Sequence, residues 1–254
     1  MSLASILIAI LSFIIVLVIF RYLLKPKDAK IIKDATTGEI IPGGELAASS
    51  SNNSAYSLWF FVNDYSQDYS KEKQVLHHVT PNTTDGVMVN LAANTNDLLV
   101  AVKIAQDTSV GSTDPSHHIC QVNNIPIQKW IHLVVSIHGR IIDIYMNGKL
   151  VRSCLASAVP AISGLSANDV KIGGATSDVN NISTLLSTDT VVGVPGWSGY
   201  FAKFEYYPEA IDPQTVYYLY RAGYGGGSFL DYLNRYQVKV ALLDNETEDT
   251  SFTF

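Results

Sequence analysis

The sequence predicts an all-β protein: a two-sheet antiparallel jelly-roll sandwich that follows one transmembrane helix and carries a short C-terminal helix. Three observations support this fold class. The 254-residue chain opens on a long apolar run, short segments rich in Val, Ile, Tyr, Phe and Trp recur after it, and clusters of Asn, Asp, Gly, Ser and Thr separate those segments. Short strands with turn residues between them are typical of antiparallel sandwiches.

The apolar run predicts a membrane anchor over residues 1–25. Residues 4–24 would form a helix of about 31 Å, close to the roughly 30 Å hydrocarbon core of a bilayer, which makes the lipid bilayer their expected partner. Arg21, Tyr22 and Lys25 would lie at the membrane interface, where long cations and phenol rings are favourable. A cleaved signal peptide is disfavoured, because no basic residue precedes the run and no small-residue cleavage site follows it.

Charges beside the anchor predict the side of the membrane on which the domain lies. Basic residues follow the run at Lys25, Lys27, Lys30 and Lys33, whereas none precedes it. The positive-inside rule therefore places the globular part in the cytosol. N-glycosylation sequons would then stay unmodified, and both cysteines would face a reducing compartment. The sequons begin at Asn52, Asn82, Asn181 and Asn245.

Composition excludes some partners. The chain has 17 Lys and Arg against 23 Asp and Glu, a net charge of −6. Because nucleic-acid binding needs a basic face, nucleic acid is not expected as the main partner. With two cysteines, the domain is also not a scaffold built on several disulfides.

The remainder of the chain divides into three parts. Residues 26–54 are predicted to be a flexible linker, since Gly, Pro and a Ser/Asn tract interrupt them. The sandwich is expected over residues 55–223, and a Gly-rich segment with an acidic tail over residues 224–254. Strands are expected near residues 56–62, 86–92, 97–104, 117–122, 130–138, 141–146, 149–155, 169–173 and 197–207.

Two local signals are especially clear. Apolar residues alternate with other residues from Ile131 to Ile137, and Asn147-Gly148 is a strong two-residue hairpin turn because both residues tolerate positive φ. Asp212-Pro213 predicts the start of a helix that ends at Gly223, since Asp is a good N-cap and Pro suits the first helical position.

Four motifs follow one another in order: the Trp130–Val135 strand with the Ile144–Val151 hairpin, the Ile172–Gly174 turn, the Gly199–Phe204 strand and the helix after Asp212. Together they resemble the laminin-G-like, concanavalin A-like jelly rolls, which implies two stacked antiparallel sheets. With its anchor and acidic tail, the chain is also similar to membrane-anchored laminin-G-like proteins of large DNA viruses. That similarity implies a helix in the inner virion membrane and a domain that faces the capsid shell.

The sequence gives no prediction of an active site. Glycosidases of this fold need two carboxylates on one strand, about 5–5.5 Å apart in retaining enzymes. Glu205, Glu209 and Asp212 come nearest, but Pro208 and a helix cap separate them. We therefore expect no enzymatic activity and name no catalytic residue.

Histidines and aspartates do not form a metal motif either. His77-His78 and His117-His118 are adjacent pairs, and adjacent residues on a strand point to opposite faces, so surface or hydrogen-bonded histidines are favoured. No cofactor is expected, although calcium stays an open alternative, because some laminin-G-like domains bind it at a rim of loop aspartates. Aspartates in predicted loops are Asp85, Asp97, Asp114, Asp178 and Asp189. For Trp59, Trp130 and Trp197, core packing is favoured over a sugar platform.

Cys120 and Cys154 both lie on predicted strands. If those strands are neighbours, a disulfide would close a loop of about 35 residues and contribute roughly 3–4 kcal/mol. In a cytosolic domain free thiols are favoured, and oxidation late in virion assembly would reverse that preference.

The expected function is that of a non-enzymatic, membrane-anchored structural or interaction protein, a virion component that links the inner membrane to capsid proteins. The alternative is a membrane-anchored lectin that binds glycan, with or without calcium. This alternative requires the domain to face outside and an exposed aromatic or Asp cluster at one loop rim.

Overall fold

A computed structural model describes residues 32–81, 85–105, 116–174, 181–185, 194–224, 239–244 and 247–253. Within these ranges no helix is long and apolar enough to cross a membrane. The predicted anchor over residues 4–24, with Arg21, Tyr22 and Lys25, lies outside the described residues. The sandwich belongs to a compact unit, Lys30–Tyr224, and residues after it belong to a separate unit.

The strands of the sandwich are, in chain order, β1 (Lys33–Asp34), β2 (Glu39–Ile41), β3 (Ser54–Val62), β4 (Lys73–Val79), β5 (Gly86–Leu91), β6 (Leu98–Lys103), β7 (His117–Val122), β8 (Trp130–His138), β9 (Ile141–Met146), β10 (Lys149–Leu155), β11 (Val170–Ile172) and β12 (Gly199–Tyr207). The short helix α1 (Pro213–Ala222) follows them, and 3₁₀ helices span Gly43–Glu45, Leu165–Ala167 and Ile182–Thr184. In the separate unit, β13 (Lys239–Asp244) and β14 (Thr247–Thr253) pair as an antiparallel hairpin.

Two six-stranded antiparallel sheets form the sandwich. Sheet A has the order β1-β12-β3-β8-β9-β10, and sheet B has the order β2-β11-β4-β5-β6-β7. Their facing sides meet in an apolar core that includes Leu58, Phe60 and Val89. Trp197 is fully buried there, and its indole Nε1 donates to the carbonyl oxygen of Phe61 at 2.9 Å. The prediction of a mostly β fold with two antiparallel sheets and a short C-terminal helix is confirmed.

The nine predicted strands lie within two residues of strands in the structure. Strand β4 is absent from the prediction, because Lys73, Gln74, His77 and His78 break its apolar pattern. All four side chains are nonetheless buried. Tertiary contacts therefore stabilise a strand whose sequence does not resemble a core strand.

Part of the predicted linker, residues 26–54, belongs to the sandwich. Strand β1 pairs with β12 through Lys33 and Phe201, and β2 pairs with β11 through Ile41 and Val170. The sandwich therefore begins at β1 rather than at residue 55. Edge strands of two and three residues are too short to produce an alternating pattern, which is why composition alone favours a linker.

Helix α1 covers part of the outer face of sheet A. It begins after Asp212, whose carboxylate accepts from two backbone amides, and it ends at Gly223, whose φ is +73°. Val216 of the helix is fully buried and packs with Val134 and Tyr145 of the sheet.

Cys120 on β7 and Cys154 on β10 form a disulfide, with their Cα atoms 6.2 Å apart. The bond joins the edge strands of the two sheets on the same side of the sandwich. A cytosolic location predicts free thiols at these two positions, and the structure has a disulfide there instead. Sequence alone cannot place β7 opposite β10, because that proximity depends on how the two sheets stack.

Candidate binding site at a loop rim

Three loops at one end of the sandwich surround a depression of about 660 Å³. They connect β3 to β4, β5 to β6, and β7 to β8. The size falls in the range of small-molecule sites. The residues that line it are Tyr65, Tyr69, Asn94, Thr95, Asn96, Asp97, Gln121, Asn123, Asn124 and Ile127.

The aromatic part of the rim comes from the β3–β4 loop. Tyr69 is 62% exposed, so its ring is available to a ligand. Tyr65 lies deeper, and the buried Lys73 ammonium sits 4.8 Å from its ring centroid. Lys73 also donates to the backbone carbonyl oxygens of Asp68 and Lys71, at 3.3 and 3.1 Å. These contacts hold the β3–β4 loop against the start of β4.

Asp97 organises the polar part of the rim. Its carboxylate accepts from the Asn124 backbone N–H at 2.8 Å, from the Thr95 hydroxyl at 2.8 Å and from the Gln121 amide at 3.0 Å. These hydrogen bonds lower the pKa of Asp97, and the one from the Asn124 backbone has the largest effect. The carboxyl group is therefore ionised at neutral pH. The rim thus presents one fixed anion surrounded by amides and a hydroxyl.

The Tyr65 hydroxyl is buried and has no hydrogen-bond partner among the described residues. Burial raises the pKa of Tyr65, and the negative charge of Asp97 adds to the effect. A neutral phenol that can both donate and accept therefore lies next to the depression.

The chemistry of this rim matches a polyhydroxylated ligand with an apolar face. An exposed ring can stack on the C–H face of a sugar, and carboxylate, amide and hydroxyl groups can share hydrogen bonds with its hydroxyls. None of the lining residues is cationic. The lining of the depression therefore offers no cation to a sulfate, a phosphate or a carboxylate, although Lys71 and Lys129 lie elsewhere in the same loops.

Of the aspartates in predicted loops, Asp97 lies at this rim, whereas Asp85 forms an ion pair with Lys103 at 2.6 Å. Asp114, Asp178 and Asp189 fall outside the described residues. In the part of the chain that the structure describes, no three His, Cys, Asp or Glu side chains are grouped as metal ligands.

The adjacent histidines of β4 point to opposite faces of sheet B. His78 faces the core, where the Tyr56 hydroxyl lies 2.9 Å from Nδ1 and the Leu165 carbonyl oxygen lies 2.7 Å from Nε2. His77 faces outward, with Nε2 2.7 Å from Asn90 Oδ1. On β8, His132 Nε2 contacts the Ser57 hydroxyl at 3.0 Å. Each of these three histidines thus has at least one hydrogen-bond partner within the protein.

The carboxylates nearest to a glycosidase pattern have local partners. Glu205 accepts from the Tyr207 hydroxyl at 3.0 Å, and Asp212 caps α1. Glu209 is exposed in the turn between β12 and α1. The structure does not bring these carboxylates to the rim.

The three tryptophans pack against protein. Trp197 lies in the core, Trp59 stacks on Tyr220 with ring centroids 5.8 Å apart, and Trp130 stacks on Tyr224 at 4.4 Å. The aromatic side chains of the rim are tyrosines instead.

Sequence reasoning did not identify the rim. A usable signal exists: Asn94-Thr95-Asn96-Asp97 and Asn123-Asn124 are two amide-rich turns that begin just after β5 and β7. Antiparallel neighbours bring such turns together at one end of a sheet, but only once the strand order is known.

Comparisons with known proteins support the fold alone. No protein-family model matches the sequence, and no curated protein does. Among solved structures, the chain is similar to the receptor binding domain of botulinum neurotoxin C/D mosaic serotype, with a TM-score of 0.52 and 11% identity over 78% of this chain and 45% of that one. The botulinum neurotoxin serotype D binding domain gives a TM-score of 0.50 and 11% identity over 77% of this chain and 44% of that one. The chain thus spans less than half of the structures it matches, and its described sandwich is similar in fold to part of these binding domains.

Proposed function

We propose that this chain is a non-enzymatic, membrane-anchored binding module whose loop rim binds a neutral glycan. The observation that carries the proposal is the combination of the exposed Tyr69 ring with the polar cluster around Asp97. Two further observations support it. The similar solved structures are receptor binding domains by description, and the Cys120–Cys154 disulfide suits an oxidising compartment outside the cytosol.

This proposal places the domain on the side of the membrane opposite to that predicted from the basic residues after the anchor. The basic residues after the predicted anchor influence how it inserts, whereas the disulfide and the rim reflect the environment in which the domain works. A direct measurement of topology therefore belongs to the test.

Glycan binding is tested on an array with the full chain in lipid nanodiscs, once with calcium and once with chelator. We expect binding to neutral glycans that Tyr69→Ala weakens about five- to tenfold, since loss of a stacked ring costs about 1–1.5 kcal/mol. Asp97→Asn keeps the size of the side chain but removes its charge, and it should also weaken binding. Tyr218→Ala is the matched control, because this tyrosine is 58% exposed on α1 and does not line the rim.

Absence of glycan binding by the unmodified chain would contradict the proposal, as would equal losses in the Tyr69 and Tyr218 variants. Loss of binding in chelator would leave the glycan proposal standing and would show that binding also requires calcium.

A second candidate function is the virion protein that links an inner membrane to capsid proteins. The basic residues after the anchor favour it, because they predict a domain on the cytosolic side, where a capsid would assemble. Protease protection on microsomes separates the two candidates. A domain that is digested without detergent and unglycosylated supports the capsid role, whereas a protected domain with glycan at Asn82 or Asn181 supports the glycan-binding module.

A further inference from the structure

Strand β10 forms a free edge of sheet A. The spatial order of the sheet ends at β10, so no described strand pairs with its outer side. All its residues except Cys154 are exposed. Because an edge strand presents unpaired N–H and C=O groups, it can accept a further strand from another chain.

The first half of β10 carries the usual protection of an edge. Its register against β9 shifts between Leu150 and Arg152, and a bulge of this kind weakens pairing with an added strand. From Arg152 to Leu155 the register is regular. The disulfide from Cys154 to β7 also fixes this half in place. The second half is therefore a regular, pre-organised edge.

Exposed apolar side chains accompany this edge. Leu155 is 66% exposed, and Ile141, its cross-strand partner on β9, is 42% exposed. Leu150 and Val151 are 53% and 44% exposed. Lys149, Arg152 and the bulge are enough to protect this edge from nonspecific pairing with another chain. They do not explain why several exposed positions of the β9–β10 hairpin are apolar.

Unpartnered positive charge lies beside the same strand. Neither Lys149 nor Arg152 forms an ion pair or a side-chain hydrogen bond with a described residue. Both line a groove of about 620 Å³. The apolar residues of this groove are Val122, Ile125, Pro126, Met146 and Val151, and Tyr217 and Tyr220 of α1 complete one side. The groove therefore suits a segment that combines carboxylates with apolar side chains.

A second copy of the chain fits this edge less well than an acidic segment does. Strand β10 reads Lys-Leu-Val-Arg-Ser-Cys-Leu and contains no carboxylate. Pairing of two β10 strands would place four cations along one seam without a counter-charge, and like charges across a strand pair are destabilising. An acidic partner strand would supply that counter-charge.

We propose that β10 binds an extended, acidic and apolar segment of a partner protein. The segment adds to sheet A as a further strand along Arg152–Leu155, and its carboxylates lie against Lys149 and Arg152. Strand β10 itself does not line the rim, but the groove beside it is continuous with the rim through Gln121, Asn123 and Asn124. The strand-addition proposal rests on the edge and its charges and does not depend on glycan binding.

The test uses the full chain in nanodiscs and three labelled eight-residue peptides. The first peptide alternates Glu and Val, the second has Lys in place of each Glu, and the third repeats the first with an N-methyl group on every backbone nitrogen, so that neither of its edges can donate. We expect the first peptide to bind at least about tenfold more tightly than the second, which corresponds to about 1.4 kcal/mol. The third should not bind, because it lacks the backbone donors that strand addition needs. Hydrogen exchange of the Arg152–Leu155 amides should slow with the first peptide.

Charge exchange on the protein makes the test specific. The K149E/R152E variant should prefer the lysine peptide, while K71E/K129E changes the same number of charges on exposed loop residues and should keep the original preference. Failure of the glutamate peptide to bind would overturn the proposal. So would equal binding of the first two peptides, or unchanged binding after N-methylation. Concentration-dependent protection of Arg152–Leu155 without any peptide would assign the edge to a second copy instead.

Discussion

The two outer faces of the sandwich are covered in different ways. A helix covers part of the outer face of sheet A through apolar and aromatic contacts. A short segment, residues 181–185, covers part of the outer face of sheet B through a buried carboxylate. The two covers differ in how much of each is visible in the sequence.

On sheet A, the covering helix α1 and its buried face can be predicted from short-range sequence patterns. Val216 of α1 is fully buried beside Val134 and Tyr145, and Tyr220 stacks on Trp59. Residues 216 and 220 are one helical turn apart, so both face the sheet. An N-cap, a proline at the first position and this spacing are all visible in the sequence.

On sheet B, the cover depends on one residue distant in sequence. Glu72 is 1% exposed, and its carboxylate accepts from the backbone N–H groups of Ile182 and Ser183 at 2.8 and 2.9 Å. The Ser183 hydroxyl and the Asn90 amide donate to it as well. Ile182 is fully buried against an apolar patch that includes Met88. The carboxylate therefore holds this segment in place over the sheet.

The largest expected effect follows from removal of this carboxylate. Glu72→Ala leaves two backbone amides and the Asn90 amide without their acceptor. We expect a loss of about 2–4 kcal/mol in the stability of the covered region, because hydrogen bonds to charged groups are stronger than neutral ones. Hydrogen exchange at Ile182 and Ser183 measures the local effect, and urea unfolding measures the global one.

Glu45→Ala is the matched control, since Glu45 is an exposed glutamate with no ion pair among the described residues. It should leave both measurements unchanged. If Glu72→Ala speeds exchange equally at Val216 of α1, the covers of the two faces are not independent.

The second effect concerns pH, because each outer face contains a buried histidine. Burial lowers the pKa of His77 on sheet B and of His132 on sheet A to about 4, from an ordinary value near 6.5. The unfolded chain therefore takes up protons below pH 6.5, while the folded chain resists protonation until about pH 4. The stability contributed by each group is complete above pH 6.5 and is lost as pH falls towards 4.

At pH 5 each histidine should cost about 2 kcal/mol of stability relative to neutral pH. Replacement by Gln should remove that part of the pH dependence, as measured by urea unfolding between pH 4 and 7. We expect similar reductions for His77→Gln and His132→Gln. A variant that keeps the full pH dependence would indicate that its histidine is protonated in the folded state, and hence that its cover opens in acid.

Elements encoded by local patterns can be predicted from the sequence, whereas elements held by residues distant in sequence cannot. Strands such as β8 and β9 are predictable because alternation and the Asn147-Gly148 turn are local signals. Strand β4 is not, because its buried polar residues are satisfied by distant groups: Gln74 donates to the Gly173 carbonyl oxygen at 2.9 Å, and His77 pairs with Asn90. Such residues look like loop residues until their partners are known.

The candidate rim follows the same rule. Asp97 is visible as a loop aspartate, yet its role depends on Gln121 and Asn124, which lie in another loop. Tyr69 carries no local signal at all. The fold class was therefore predictable from the order of strands, whereas the site depends on which loops share one end of the sandwich.

The smallest expected effect tests the claim that the helical cover is locally encoded. Asp212 Oδ1 accepts from the backbone N–H groups of Gln214 and Thr215 at 2.8 and 3.0 Å, and Oδ2 accepts from the Thr215 hydroxyl. Asp212→Ala removes the cap and should lower Tm by about 2–4 °C, whereas Asp212→Asn keeps an oxygen acceptor and should lower it less. Exchange should become faster in α1 and remain unchanged at Ile182. If Asp212→Ala has no effect, the contacts of Val216 and Tyr220 hold the helix without its cap, and the cover of sheet A depends on tertiary packing as much as the cover of sheet B does.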